Sequence, residues 1–343
     1  MTMNRKSKFE VSTSPYLHDE VTTPWMMYQV VFTLIPIIIV SSYFFGISAI
    51  LLTLFCVLGC FVSEWAFGGY EHRIKSLKDG SALITGILLA LTLPPGFPLW
   101  MAFLGGVVAI ALGKAIWGGL GQNIFNPALL GRAFLQASFP TAITTWTESG
   151  GDFFASRGTN FAMPFFQGEN VDAQTAATPL SHMKFDHLST DWTELLLGNV
   201  SGSLGETCGI LIIISGIYLL SRNIINWRIP ASILLTVGVF SSIVYLFDQE
   251  AFPSPVFMLL SGGLLLGTVF MATDLVTSPL TPRGCWIFGI GIGVLVVLIR
   301  IWGGLPEGVM YSILLMNAVT PLINRYNKTM VFGLSKRLKS KND

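Results

Sequence analysis

The sequence predicts an all-α integral membrane protein of about ten transmembrane helices, arranged as an inverted 5+5 repeat. Three observations carry that prediction. Of 343 residues, 52% are hydrophobic and only 11% charged, and the mean hydropathy is +0.65. A soluble domain carries roughly 25% charged side chains and could not clothe its surface with less than half of that. Apolar runs close to the ~20 residues that cross a ~30 Å hydrocarbon core recur along the chain. The pentapeptide IWGGL also occurs twice, at 116–120 and 301–305. The first two observations exclude a soluble enzyme, a nucleic-acid binder and a secreted disulfide domain as readings of the whole chain.

The elements follow in order. Residues 1–26 form a polar N-terminal segment, so no cleavable leader is expected and the first span acts as its own insertion signal. Apolar runs at 27–45, 47–66, 81–94, 98–116 and 127–140 form a first membrane repeat, 27–140. The runs 81–94 and 127–140 are short and bordered by Pro94-Pro95 and Pro127. They read as broken or tilted segments, which a membrane protein tolerates where they line a protein interior. A long polar loop, 141–203, comes next. Runs at 204–220, 229–247, 255–272, 285–302 and 308–323 make a second repeat, 204–325, before a basic tail, 326–343.

Charge sets the orientation. With the N-terminus inside, Arg5, Lys6, Lys8, Arg73, Lys75, Lys78, Lys114, Arg222, Arg228, Arg283, Arg325, Lys328, Lys336, Arg337, Lys339 and Lys341 fall inside. Only Arg157 and Lys184 fall outside, in the longest loop of the chain. That is a strong positive-inside bias, placing both termini in the cytoplasm and 141–203 beyond the membrane. Arg132 and Arg300 lie within or at the ends of spans, and Arg300 is expected to snorkel to the interface. The cluster KRLKSK (336–341) reads as an anchor on anionic lipid rather than a nucleic-acid patch.

Around the repeated pentapeptide, SALITGILLALTLPPG (81–96) parallels GGLLLGTVFMATDLVTS (262–278), and FNPALLGR (125–132) parallels MNAVTPLINR (316–325). Asn126 thereby pairs with Asn317 and Arg132 with Arg325. Five spans per repeat force the halves into opposite orientations, and ligand sites in such folds form where their broken segments meet. By itself this architecture serves a solute path or a cofactor cavity equally well.

Few residues carry ordinary site chemistry. Cys56, Cys60, Cys208 and Cys285 lie in apolar runs, without metal-ligand spacing, and read as small packing residues. His182 and His187 flank Lys184 in a solvated loop, and no metal site is expected. GGLGQN lacks the strand and the Lys-Ser/Thr of a phosphate-binding loop. Asn123 and Asn126 precede Pro127, where an Asn caps a helix whose first turn is proline. Asp274 stands at a membrane edge, either as a cap on a broken helix or as a group handling a cation or proton.

The loop segment DAQTAATPL, Asp172 to Leu180, resembles the Asp-x-x-(Ser/Thr)-(Gly/Ala)-Ala-Thr motif at which a flavin transferase joins FMN to threonine through a phosphoester. GQNIFNPALLGRA (121–133), FMATDLVTSP (270–279) and the SPY start (14–16) are similar to further segments of the same family. That family contains the D subunit of the Rnf complex and the B subunit of the Na+-translocating NADH:quinone reductase, and the short N-terminal segment fits the Rnf branch better. Ala176 stands where Gly is commoner, and Leu275 replaces a usual Pro.

The resemblance implies a urea-transporter-like fold with covalent FMN on Thr178 in a motif that includes Asp172, Thr175 and Ala177. It also implies non-covalent riboflavin beside Asn123 and Asn126, with Asp274 nearby. The implied activity is that of an electron-transfer subunit, not catalytic alone. It would sit in a prokaryotic inner-membrane complex that couples electron flow from ferredoxin to NAD+ with Na+ or H+ translocation. Implied partners are the ferredoxin- and NAD-handling subunits, a second FMN subunit, paired small membrane subunits and the flavin transferase. A small-solute channel of the same fold, or a purely structural anchor, would have no use for the loop motif.

Overall fold

A computed structural model of the chain describes residues 22–68, 73–163, 177–186, 188, 190–206, 208–249 and 251–327. Asp172 and Thr175 of the loop motif, His187, the SPY start and the KRLKSK tail lie outside them. The described residues are helical, with no β-strand element among them. The helices are α1 (Thr23–Phe45), α2 (Ile47–Phe67), α3 (Arg73–Lys78), α4 (Ser81–Leu91), α5 (Leu99–Ile110), α6 (Pro127–Ser138), α7 (Pro140–Thr144), α8 (Pro179–Ser181), α9 (Trp192–Leu197), α10 (Gly209–Ser221), α11 (Arg228–Phe247), α12 (Pro255–Leu260), α13 (Leu264–Leu266), α14 (Pro282–Trp302) and α15 (Val309–Tyr326). Four of them, α1, α2, α11 and α14, are long and apolar enough to cross a membrane; α4, α10 and the run 99–115 are shorter apolar helices.

Prolines punctuate several helix starts, among them Pro127, the one that the sequence implies. Asn126, Ser254 and Thr281 each cap a helix whose first residue is proline, their side chains accepting backbone N–H groups of the first turn. Pro lacks the N–H that a first turn leaves unpaired, and its fixed φ suits that position. Gly46 separates α1 from α2 at φ 67. A side chain there would strike the Phe153 carbonyl, which instead accepts the Ile47 N–H at 2.8 Å. The first part of the long loop is therefore docked on the bundle.

Both halves use close helix crossings. Gly59 and Gly106 let α2 and α5 approach backbone to backbone, and Gly289 and Gly293 bring α14 onto α11. Small residues do this in membranes because van der Waals packing replaces the hydrophobic effect as the driving force. One continuous apolar core runs from Leu34 of α1 to Ile323 of α15.

Each half also contains a break, and polar side chains satisfy the backbone there. After α4, the Asn160 amide donates to the Pro95 and Phe97 carbonyls at 2.9 and 3.0 Å. The run 255–272, a single span by hydropathy, is split at Ser261–Gly263 into α12 and α13, and α13 continues as a π turn, Gly267–Met271. Arg300 supplies the missing donors, its guanidinium reaching the Met258 and Ser261 carbonyls at 2.7 and 2.9 Å. This corrects the expectation that Arg300 snorkels: it is 4% exposed and turned inward. Backbone freed inside a bundle needs donors that lipid cannot give.

Candidate functional site

The site residues picked from sequence fall at two places. The first is a cavity walled by both halves. Met26, Met27 and Val30 of α1, Ile84, Thr85 and Leu88 of α4, and Leu219 of α10 form much of its apolar lining. Asn123, Asn126, Thr273 and Asp274 supply polar groups, and the empty space, mouth included, is about 840 Å³. Asn123, Asn126 and Asp274 are therefore brought together across some 150 residues of sequence.

Each has a structural task as well. The Asn126 carboxamide oxygen accepts the Ala128 and Leu129 N–H groups at 3.0 and 3.3 Å, capping α6, and its NH2 donates to the Met271 carbonyl at 3.3 Å. Asn123 donates to the Phe125 carbonyl at 3.3 Å and to Asp274. Asp274 accepts from the Val276 N–H at 3.4 Å and the Thr277 hydroxyl at 3.2 Å, and so caps the turn that follows the second break. Enclosure in the wall raises its carboxyl above the usual carboxylate range, against the pull of those hydrogen bonds.

Lys114 is a wall residue that the sequence presents only as one more cytoplasmic charge. It lies in a π turn, Ala111–Ala115, that extends α5. Its ammonium donates to Glu64 Oε1 and Ser81 Oγ, both at 2.7 Å, with Asp79 at 3.7 Å. Ser76 also hydrogen-bonds Glu64. The available signal is Glu64 itself, an acid at the end of an otherwise apolar span.

The second place is the loop. Thr178 is 5% exposed and caps α8; its Oγ1 accepts the Ser181 N–H at 3.2 Å and lies 3.0 Å from the Ser181 hydroxyl. Ala177 is half-buried beside it. Leu180 and Met183 pack with Leu195, Val200 and Phe257. Lys184 donates to the carbonyls that end α14, and desolvation draws its ammonium below the usual lysine value.

The two places lie at opposite ends of α14. The turn after Asp274 runs into its first residues, whereas Lys184 meets its last. Twenty-one residues at ~1.5 Å each make α14 about 31 Å long, the thickness of a hydrocarbon core. A further link joins the halves near the Lys184 end of α14: Arg132 of α6 pairs with Glu307 at 2.5 Å, and the Gly263 N–H donates to Glu307 at 3.0 Å. Burial opposes ionisation of Glu307, but Arg132 and that N–H outweigh it and hold the carboxyl below the usual range, while burial and the Glu307 charge push the neighbouring Glu206 carboxyl up.

An all-helical bundle of apolar spans, interrupted by polar-lined breaks, defines an integral membrane protein with an internal cavity. The chain belongs to the NQR2, RnfD, RnfE family, which it matches over residues 10–333. It is 38% identical to the D subunit of the proton-translocating ferredoxin:NAD+ oxidoreductase complex of Clostridium ljungdahlii, an alignment covering 96% of this chain and 97% of that one. It is also 38% identical to the D subunit of the Na+-translocating ferredoxin:NAD+ oxidoreductase complex of Acetobacterium woodii, over 95% and 96% of the two chains. The D subunit of the ion-translocating oxidoreductase complex of Stutzerimonas stutzeri is 40% identical over 91% and 92%.

The residues present fit the flavins that the resemblance implies. A flat tricyclic ring wants an apolar slot with a few polar groups along its edge, and an amide such as Asn123 both donates and accepts. The cavity's cation, Lys114, is already paired with Glu64, which suits a flavin without phosphate. At the other end, Thr178 offers a hydroxyl that can be esterified.

Proposed function

We propose that this chain is the flavin-carrying membrane subunit of a complex that couples ferredoxin:NAD+ electron transfer to ion translocation. In this reading its ten helices form the inverted 5+5 repeat, covalent FMN sits on Thr178 outside, and riboflavin occupies the cavity inside. Bound flavins supply the capacity to take and pass electrons singly or in pairs. The chain's own residues bind and orient: Asn123 and Asp274 face the ring edge, Asn126 holds α6 against the Met271 turn, and the apolar wall excludes water. Ferredoxin and NAD+ are handled by partner subunits, beside a second FMN subunit, the paired small membrane subunits and a flavin transferase. Two relatives at the same identity are named for different ions, so the reading stays with Na+ or H+. The observation that carries it is the convergence of Asn123, Asn126 and Asp274 on one cavity at the far end of α14 from Thr178.

Two experiments test this. Asn123→Leu removes an amide without touching the α6 cap, and acid extraction should recover far less non-covalent flavin, an affinity loss of about tenfold to a hundredfold. Asn126→Asp keeps the capping oxygen but loses the NH2 that donates to the Met271 carbonyl, and it should also lose flavin. Covalent flavin should be unchanged in both, and wild-type recovery from Asn123→Leu would remove the cavity assignment. For orientation, a reporter inserted within 141–203 should read outside and one at 343 inside; the reverse would exchange the sides of the two flavins.

A further inference from the structure

We infer that Lys184 is a positioning residue that fixes the flavin-bearing threonine against the end of α14. The inference rests on the reading that Thr178 carries FMN and adds to it a residue outside the attachment motif.

Lys184 Nζ lies within hydrogen-bonding reach of four carbonyls at that helix end: Arg300 and Leu305 at 3.0 Å, Ile299 at 3.5 Å, and Gly303. The last carbonyls of a helix lack intrahelical donors and carry the negative pole of its dipole, so one ammonium answers both needs. This cap comes from a segment more than a hundred residues away rather than from the residues flanking α14. The cation inside α14 that could have served, Arg300, is turned to the break at Ser261 instead.

Thr178 and Lys184 also move together. α8 runs directly into a π turn, His182–Asp186, and the His182 N–H donates to the Thr178 carbonyl at 2.9 Å. Pinning the ammonium therefore pins the hydroxyl six residues before it. Leu180 and Met183, on the same turn, rest on Phe257 of α12. The outer threonine is thus held by the second membrane half, next to the helix whose other end meets the cavity.

The test compares Lys184→Met and Lys184→Arg with wild type in the assembled membrane complex. Hydrogen exchange of the backbone amides of 178–186 reads the clamp, in-gel fluorescence reads covalent flavin per chain, and rapid mixing with reduced ferredoxin reads the rate of covalent FMN reduction. In Lys184→Met, exchange should rise roughly five- to thirtyfold, the range of a partly buried charge–dipole contact. Covalent flavin should stay at the wild-type level, because the attachment motif is intact, while its reduction slows. Lys184→Arg should restore both. Wild-type exchange in Lys184→Met would overturn the proposal, as would faster exchange with FMN reduced at the normal rate. A wild type without covalent flavin would remove the proposed function, while exchange alone would still decide the clamp. If Lys184→Met fails to accumulate, Lys184→Gln, which donates without charge, is read by the same outcomes.

Discussion

Thr178→Ala should abolish covalent flavin altogether, whereas Thr178→Ser should keep it. A phosphoester needs a hydroxyl oxygen, so the expected change is from about one flavin per chain to none, read as in-gel fluorescence after denaturation with a flavin transferase co-produced. The structure makes the pair of variants informative. Thr178 Oγ1 also caps α8 by accepting the Ser181 N–H, and losing such a cap costs about 1 kcal/mol. Alanine thus removes the attachment atom and a modest local contact, while serine keeps both. A dark Thr178→Ala that accumulates in the membrane like wild type, beside a fluorescent Thr178→Ser, would assign the hydroxyl. Fluorescence persisting in Thr178→Ala would move the attachment elsewhere. A wild type that stays dark with an active transferase would leave the fold to serve solute transport instead.

The spans are legible in the sequence because hydropathy is a sum over many residues. The apolar runs from 27 to 66 and from 229 to 302 reappear as α1, α2, α11 and α14 to within a few residues, the break in 255–272 apart. Proline makes the start of α6 legible in the same way. The Ser261–Gly263 break does not show in the hydropathy, since its Ser-Gly-Gly carries no proline and sits inside an otherwise apolar run; the carbonyls freed there are taken by an arginine from another helix. The same long-range chemistry hides the direction of Arg300.

Lys114 escapes sequence reasoning for a related reason. A count of positive charge by side treats every lysine alike, and the partners that bury this one, Glu64 and Ser81, lie 50 and 33 residues away. For Asn126 the local signal is true and incomplete: it is the helix cap its neighbours imply, and it also lines the cavity. Asp274 likewise takes the capping role that its surroundings allow. Local rules therefore find the asparagines and the aspartate of the wall, but not the lysine whose role is set by distant partners.

The Arg132–Glu307 pair should give the largest stability effect in the chain, and in a telling order. Arg132 is buried in α6, Glu307 lies between α14 and α15, and the two join the halves at 2.5 Å. Arg300 adds a second positive charge nearby, raising the pull on Glu307. Removing one partner of such a pair costs up to about 3–5 kcal/mol, softened here by the Glu206 carboxyl and the Arg300 guanidinium beside it, whereas replacing both by apolar groups is often close to neutral. Glu307→Leu should therefore unfold far more readily than wild type in detergent, and Arg132→Leu should do so too. The double variant should recover most of the difference, though not all, because the Gly263 N–H loses its acceptor and Arg300 one of its two counter-charges. Acid should act in the same sense. A carboxyl held below the ordinary glutamate value near 4.5 stabilises the fold above that value, and that contribution fades as pH falls below it. Glu307→Leu, having already lost the charge, should show a flatter stability profile across that window. Additive losses in the double variant, or equal acid sensitivity with and without Glu307, would mean that the pair does not hold the two halves together.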